Sequence, residues 1–213
     1  GLGLPNSNAA GAGIRIVAAS PTIRACWIVD NICGFSGGGI GSSDQDPNYP
    51  PTSVGPASPL IEECFIARNI AGTPAGAADA SGGGLAFVGF NSVALGGRPE
   101  VRGCVIVDNE ANGAGGGLFA RYNHAVLVEN CLIARNRTLG KGATAGGGGV
   151  GLAMNAVGLL RNNRIYRNSS ASDGGGVKFV NVTGPELVNE TIAGNLGGGL
   201  AGHAYKDDFG QNV

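Results

Sequence analysis

Two short signatures alternate along this chain, and their alternation leaves few folds open. The first is three glycines and a branched aliphatic residue: Gly37-Gly38-Gly39-Ile40, then the same pattern ending at Leu85, Leu118, Val150, Val177 and Leu200. The second is Ile-x-x-Asn, running Ile28 to Asn31, Ile66 to Asn69, Ile106 to Asn109, Ile133 to Asn136, Ile165 to Asn168 and Ile192 to Asn195. An incomplete copy, Gly11-Ala12-Gly13-Ile14, precedes them. A unit that recurs this way cannot bury its apolar face alone and must stack on its neighbours.

Aligning the copies on Asn sorts the residues into columns. Three residues before each Asn stands Ile; five before it stand Cys26, Cys64, Cys104 and Cys131, then Asn163 and Glu190; three before those stand Ile23, Ile61, Val101, Val128, Leu160 and Leu187. Residues two apart on a strand share a face, so the Cys and Ile columns are expected to point inward together. Two outward columns alternate in sign: Arg24, Glu62, Arg102, Glu129, Arg161, and Asp30, Arg68, Asp108, Arg135, with Arg167 breaking the rule. Opposite charges on neighbouring strands attract and like charges repel, so in-register parallel stacking selects this alternation.

The runs between corners are short, bounded by Gly, Asn or Pro, and none keeps a helical period. Pro21, Pro59, Pro99 and Pro185 recur just ahead of a strand, where a missing N–H does least harm. The shortest step, Asn109 to Asn136, is 27 residues, the size of one three-sided coil. The expected fold is therefore all-β: a right-handed, single-stranded parallel β-helix of six to seven coils, one domain over residues 1–213. Gly and Asn are expected at the turns, Asn adopting the left-handed conformation while its amide bonds the Asn of the next coil. Glycine supplies 41 residues without a collagen period, and charged residues only 14%.

A net charge of −1 offers no basic face for nucleic acid, and no apolar run is long enough for a membrane-spanning helix. The N-terminus has neither Met nor a charged leader region, so the chain is expected to be a segment of a larger protein. Its open end coils would present unpaired strand edges to other subunits or to like molecules.

The glycine motif alternating with an aliphatic-x-x-Asn resembles the repeat of the chlamydial polymorphic membrane proteins and of the wider group of bacterial parallel β-helix surface proteins. The resemblance spans Gly11 to Leu200, with Gly where that family commonly has Ala, and Ile where it usually has Phe. It implies the same fold, a bacterial extracellular or cell-surface location and an adhesive role, and it assigns no functional residue.

Candidate sites follow from residue chemistry. Asp44, Asp46 and Asn48 have the alternating oxygen spacing of a Ca²⁺ loop but lack its Gly and its twelfth-position Glu, so a polar insertion is the plainer expectation. Trp27 and Phe65 share an outward column and, with Tyr49, form a candidate contact patch for glycans or a protein partner, unless an inserted loop covers them. The four Cys of the ladder could be buried thiols, disulfides between coils or a metal site, whereas Cys33, in a turn, is expected to be the accessible thiol. Asn136, Asn168, Asn181 and Asn189 open glycosylation sequons, two of them inside the Asn ladder.

β-Helices also carry polysaccharide lyases, hydrolases and epimerases, which need clustered carboxylates beside a basic residue. The paired carboxylates are Asp207-Asp208, near His203 and Lys206, beyond the last repeat, where a solvated terminal segment is expected. No catalytic residue is assigned. The insertions after Asn69 and Asn136 leave the same corner and are expected to build one lateral wall, the usual place for a solenoid to carry a site. The leading expectation is a non-catalytic structural or adhesive module.

Overall fold

A computed structural model describes residues 11–44, 55–72, 79–89, 97–122, 125–141, 145–154, 156–182 and 184–203. All regular structure in these residues is β, and none of it is a helix able to cross a membrane. The strands form four parallel sheets, each ordered strictly coil after coil. Sheet A has seven strands: Ile14–Val17, Ile40–Ser43, Leu85–Val88, Leu118–Arg121, Val150–Ala153, Val177–Val180 and Leu200–His203. Sheet B has six, from Thr22–Arg24 to Glu186–Val188, and sheet C six, from Trp27–Val29 to Thr191–Ala193. Sheet D has five two-residue strands, from Ile32–Cys33 to Ser169–Ser170. The parallel β-helix of six to seven coils is as expected, but its five complete coils each have four strands, not three.

The register reproduces the sequence columns. Ile28, Ile66, Ile106, Ile133, Ile165 and Ile192 pair in succession across sheet C, and Ile23, Ile61, Val101, Val128, Leu160 and Leu187 across sheet B. With Ile40, Leu85, Phe87, Leu118, Leu152 and Phe179 from sheet A they make one continuous core, so each coil's apolar face is covered by those above and below. All four recurring prolines precede a strand of sheet B as expected: Pro21, Pro59, Pro99 and Pro185 immediately precede Thr22, Leu60, Glu100 and Glu186.

The corners differ from expectation in one respect. The ladder asparagines do not adopt the left-handed conformation; the residue ahead of each does, with φ of 59° at Asp30, 55° at Arg68, 57° at Asp108 and 55° at Arg135. That single left-handed residue turns the chain and aims the following Asn inward, where Asn69, Asn109, Asn136 and Asn168 are fully buried. Each amide serves two coils. Asn109 Nδ2 donates to Ile66 O on one side at 3.0 Å and to Asn136 Oδ1 on the other at 2.9 Å, and the same Oδ1 accepts the Asn109 backbone N–H at 3.0 Å. Buried amides tolerate dehydration only when so satisfied.

The glycine triplet does two jobs. Gly115, first of its triplet, has φ of 63°, which glycine adopts without the steric cost a side chain carries there. Gly116 instead needs space, because a Cβ there would lie 2.5 Å from the carbonyl oxygens of both Arg137 and Gly148. The coils thus approach more closely at this corner than any side chain allows.

The charged columns pair as the alternation predicts. Arg68 grips Asp30 through Nε and Nη2, both at 2.7 Å, and Arg135 grips Asp108 likewise at 2.8 Å. Arg24 donates to Glu62, and, in a sheet D column that the alternation did not include, Arg137 donates to Glu110. Arg102 departs from the column by pairing with Glu100 of its own strand at 2.8 Å.

Candidate functional site

Outward side chains and the insertions define three surfaces. On sheet C, Trp27 lies over Phe65, paired in register, with ring centroids 5.2 Å apart and planes inclined at 48°. Trp27 is 80% exposed, and among the described residues no segment covers it; the insertion expected to do so lies outside them. Val105 and Leu132 continue its column, and Val29, Ala67, Val107, Ala134 and Tyr166 form the parallel one, making an apolar stripe along the rod. The Asp30–Arg68 and Asp108–Arg135 pairs border it. Tyr49, Asp46 and Asn48 lie outside the described residues. Asp44 is buried and its Oδ1 accepts the Ala57 N–H at 3.0 Å, closing the base of the insertion between them.

On sheet B, Glu100, Leu127, Leu159 and Glu186 line a shallow groove of about 300 Å³. Its two carboxylates sit on strands three steps apart, about 14 Å at a strand spacing of about 4.8 Å. Glycoside hydrolysis requires a pair within roughly 10 Å. Glu100 is moreover engaged by Arg102. Among the described residues no three His, Cys, Asp or Glu side chains converge as a metal site. His203 belongs to the last strand of sheet A, so the terminal cluster starts within the solenoid; Lys206, Asp207 and Asp208 lie outside the described residues.

The third surface is a cleft of about 390 Å³ over the outer face of sheet A. Its walls are Asp79 and Ser81 from the stretch after Asn69 and Gly140, Lys141 and Ala145 from that after Asn136, so the described ends of both insertions flank one cleft, on the corner where a lateral wall is expected. Its floor is Phe119, Arg121, Ala153 and Met154. The sequence reading named none of these floor residues. Their signal was a break in the outward column Val17, Ser43, Val88, Arg121, Ala153, Val180, where a lone charge interrupts small or aliphatic residues. Lys178, 2% exposed beside this wall, donates to Ala145 O at 2.5 Å and pairs with Asp173 at 2.5 Å.

All five cysteines are thiols, none of them joined in a disulfide. Cys64, Cys104 and Cys131 are buried in the core, whereas Cys26, at the end of the ladder, is exposed. Burial raises the Cys64 thiol to about 11, and a hydrogen bond shared with Cys131, with burial, drives Cys104 higher still. Cys33 is only 5% exposed and is not the accessible thiol. The residues after Asn31 form sheet D rather than a loose turn, and Cys33 occupies its inward column with Ala71 and Ala111. Of the sequon asparagines, Asn136 and Asn168 are wholly buried and committed to the amide ladder.

Residues 80–207 match a family model described as right-handed beta helix region. No curated protein and no solved structure matches the chain. Coils ahead of the matched segment continue the same ladder, since Asn31 donates to Asn69 and Ile28 pairs with Ile66.

Proposed function

The protein belongs to the right-handed β-helix family, and on that premise we propose that it is a structural and adhesive module, a stiff segment of a larger bacterial surface protein that holds extended glycans against sheet C. Stiffness follows from the construction. The five complete coils are tied each to the next by four parallel sheets, a buried amide ladder and side-chain-free corners, so bending the rod would break bonds in all of them.

The observation that carries the adhesive reading is Trp27, standing 80% exposed on Phe65 at the head of an apolar stripe. Large exposed aromatics in contiguous apolar surface mark contact sites, and a flat ring suits the apolar face of a sugar while the bordering ion pairs supply hydrogen bonds at its rim. The groove on sheet B, with its carboxylates far apart, favours no hydrolytic role.

A glycan array combined with a turnover assay on acidic polysaccharides tests this. Binding without cleavage, abolished in Trp27→Ala with unchanged melting, is the expected result. Cleavage of any polysaccharide, or binding indifferent to Trp27→Ala, would overturn it.

A further inference from the structure

The cleft over sheet A is independent of the aromatic stripe and has its own chemistry. Arg121 projects from the floor, and its Nε is buried without a hydrogen-bond partner. The guanidinium carbon lies 5.0 Å from the centre of the Tyr122 ring, a contact that orients the group without neutralising it. A buried guanidinium N–H left unpaired is costly, and its presence in a column of otherwise small residues marks a group kept for a partner outside the fold.

The rest of the lining narrows what that partner is. Lys141 at the rim adds a second positive charge, against one lining carboxylate, Asp79. Lys178, close by, is already matched by Asp173. The walls are otherwise Phe119, Ala114, Ala145, Ala153 and Met154. Ser81, the polar hydroxyl in the lining, is spent: its Oγ donates to Asp79 O and accepts the Ala114 N–H, both at 2.9 Å.

We propose that this cleft binds a small carboxylic acid with an apolar body, its carboxylate on Arg121 and its ring or branched chain against Phe119 and Met154. A sugar acid would turn several hydroxyls toward alanines and a thioether, leaving them unpaired. A phosphate or sulfate would ask for more donors than one guanidinium and a rim lysine provide. The cleft volume is at the small end of the range for organic ligands.

The test is calorimetric titration of the full chain with phenylacetate, benzoate and isovalerate, alongside phenylacetamide, galacturonate and inorganic phosphate. At least one of the three apolar acids should bind, and among the analogues phenylacetamide should bind at least about tenfold more weakly than phenylacetate, since a charge-assisted bond is lost. Arg121→Met should weaken the acid by at least about tenfold at unchanged melting temperature, with Arg121→Lys between the two because it keeps charge but loses the planar fork. Trp27→Ala should leave this binding intact, which separates it from the glycan reading. Failure of all three acids to bind at millimolar concentration, tighter binding of galacturonate or phosphate, or indifference to Arg121→Met would each overturn the proposal.

Discussion

Asn109 Nδ2 reaches Asn136 Oδ1 at 2.9 Å across one coil step, and that oxygen also accepts the Asn109 backbone N–H. The pair is one link of a chain running from Asn31 to Asn195 through the interior beside sheet C. Each link satisfies a buried amide by means of the next, so an interior asparagine supports both neighbours while the first supports none behind it.

Asn109→Ala should therefore cost about 3 kcal/mol or more, because it strands the N–H and Nδ2 of Asn69 and the carbonyl of Ile66 in a dry core. Asn31→Ala, at the start of the described ladder, should cost about 1 kcal/mol. Urea denaturation of the two variants measures the difference; equal losses would contradict the ladder's role.

Gly116→Ala should destabilise the fold by about 3 kcal/mol, since its methyl meets two carbonyl oxygens of the next coil that cannot both withdraw. Gly34→Ala meets nothing within 4 Å and should be neutral or slightly stabilising. Thermal melts of the pair separate close packing from a general intolerance of glycine replacement.

Iodoacetamide should label Cys26 in the native protein and the other four thiols only after unfolding. Cys33, Cys64, Cys104 and Cys131 are buried, and a Cys64 thiol near 11 holds little thiolate at neutral pH. Peptide mass mapping before and after denaturant reads this directly; native labelling at Cys33 would contradict sheet D.

Glu190 closes the Cys column, its Oε1 accepting both Asn163 Nδ2 at 2.8 Å and Asn163 N–H at 3.2 Å, while Oε2 is buried without a partner. Burial raises its carboxyl above the ordinary 4.5, against the opposing pull of the Asn163 bonds. A raised folded value means that the native state holds the proton more tightly than the unfolded chain does. Its stabilising effect is complete below the ordinary carboxylate range and is lost as pH rises through the raised value. Glu190→Gln should thus raise the melting temperature at about pH 7 and lose that advantage below about pH 4.

Chelation should leave the melt unchanged, because Asp44 already spends an oxygen on Ala57. Asp44→Ala should lower stability by about 1 to 2 kcal/mol through that lost clasp. A melt lowered by chelator would instead place a cation in the insertion.

Much of the molecule was legible in the residues because each column answers to its neighbours one coil away. Ile66 and Ile106 pair, Asp30 meets Arg68, and Trp27 meets Phe65, all as alignment on Asn predicts. The errors came where one position could turn the chain in two ways. Whether the left-handed residue is Asn69 or Arg68 leaves the repeat unchanged, yet it decides whether the amide points to solvent or into the core, and whether the residues after it form a turn or sheet D.

By itself the sequence determined the solenoid, its register and its core, because stacking obeys a nearest-neighbour rule that recurs along the chain and so leaves a periodic trace. Only the tertiary structure decided the cleft. Arg121 and Met154 come from successive coils and Asp79 and Lys141 from the ends of insertions of unequal length, and their convergence depends on where the chain sets those ends against sheet A, which no period records.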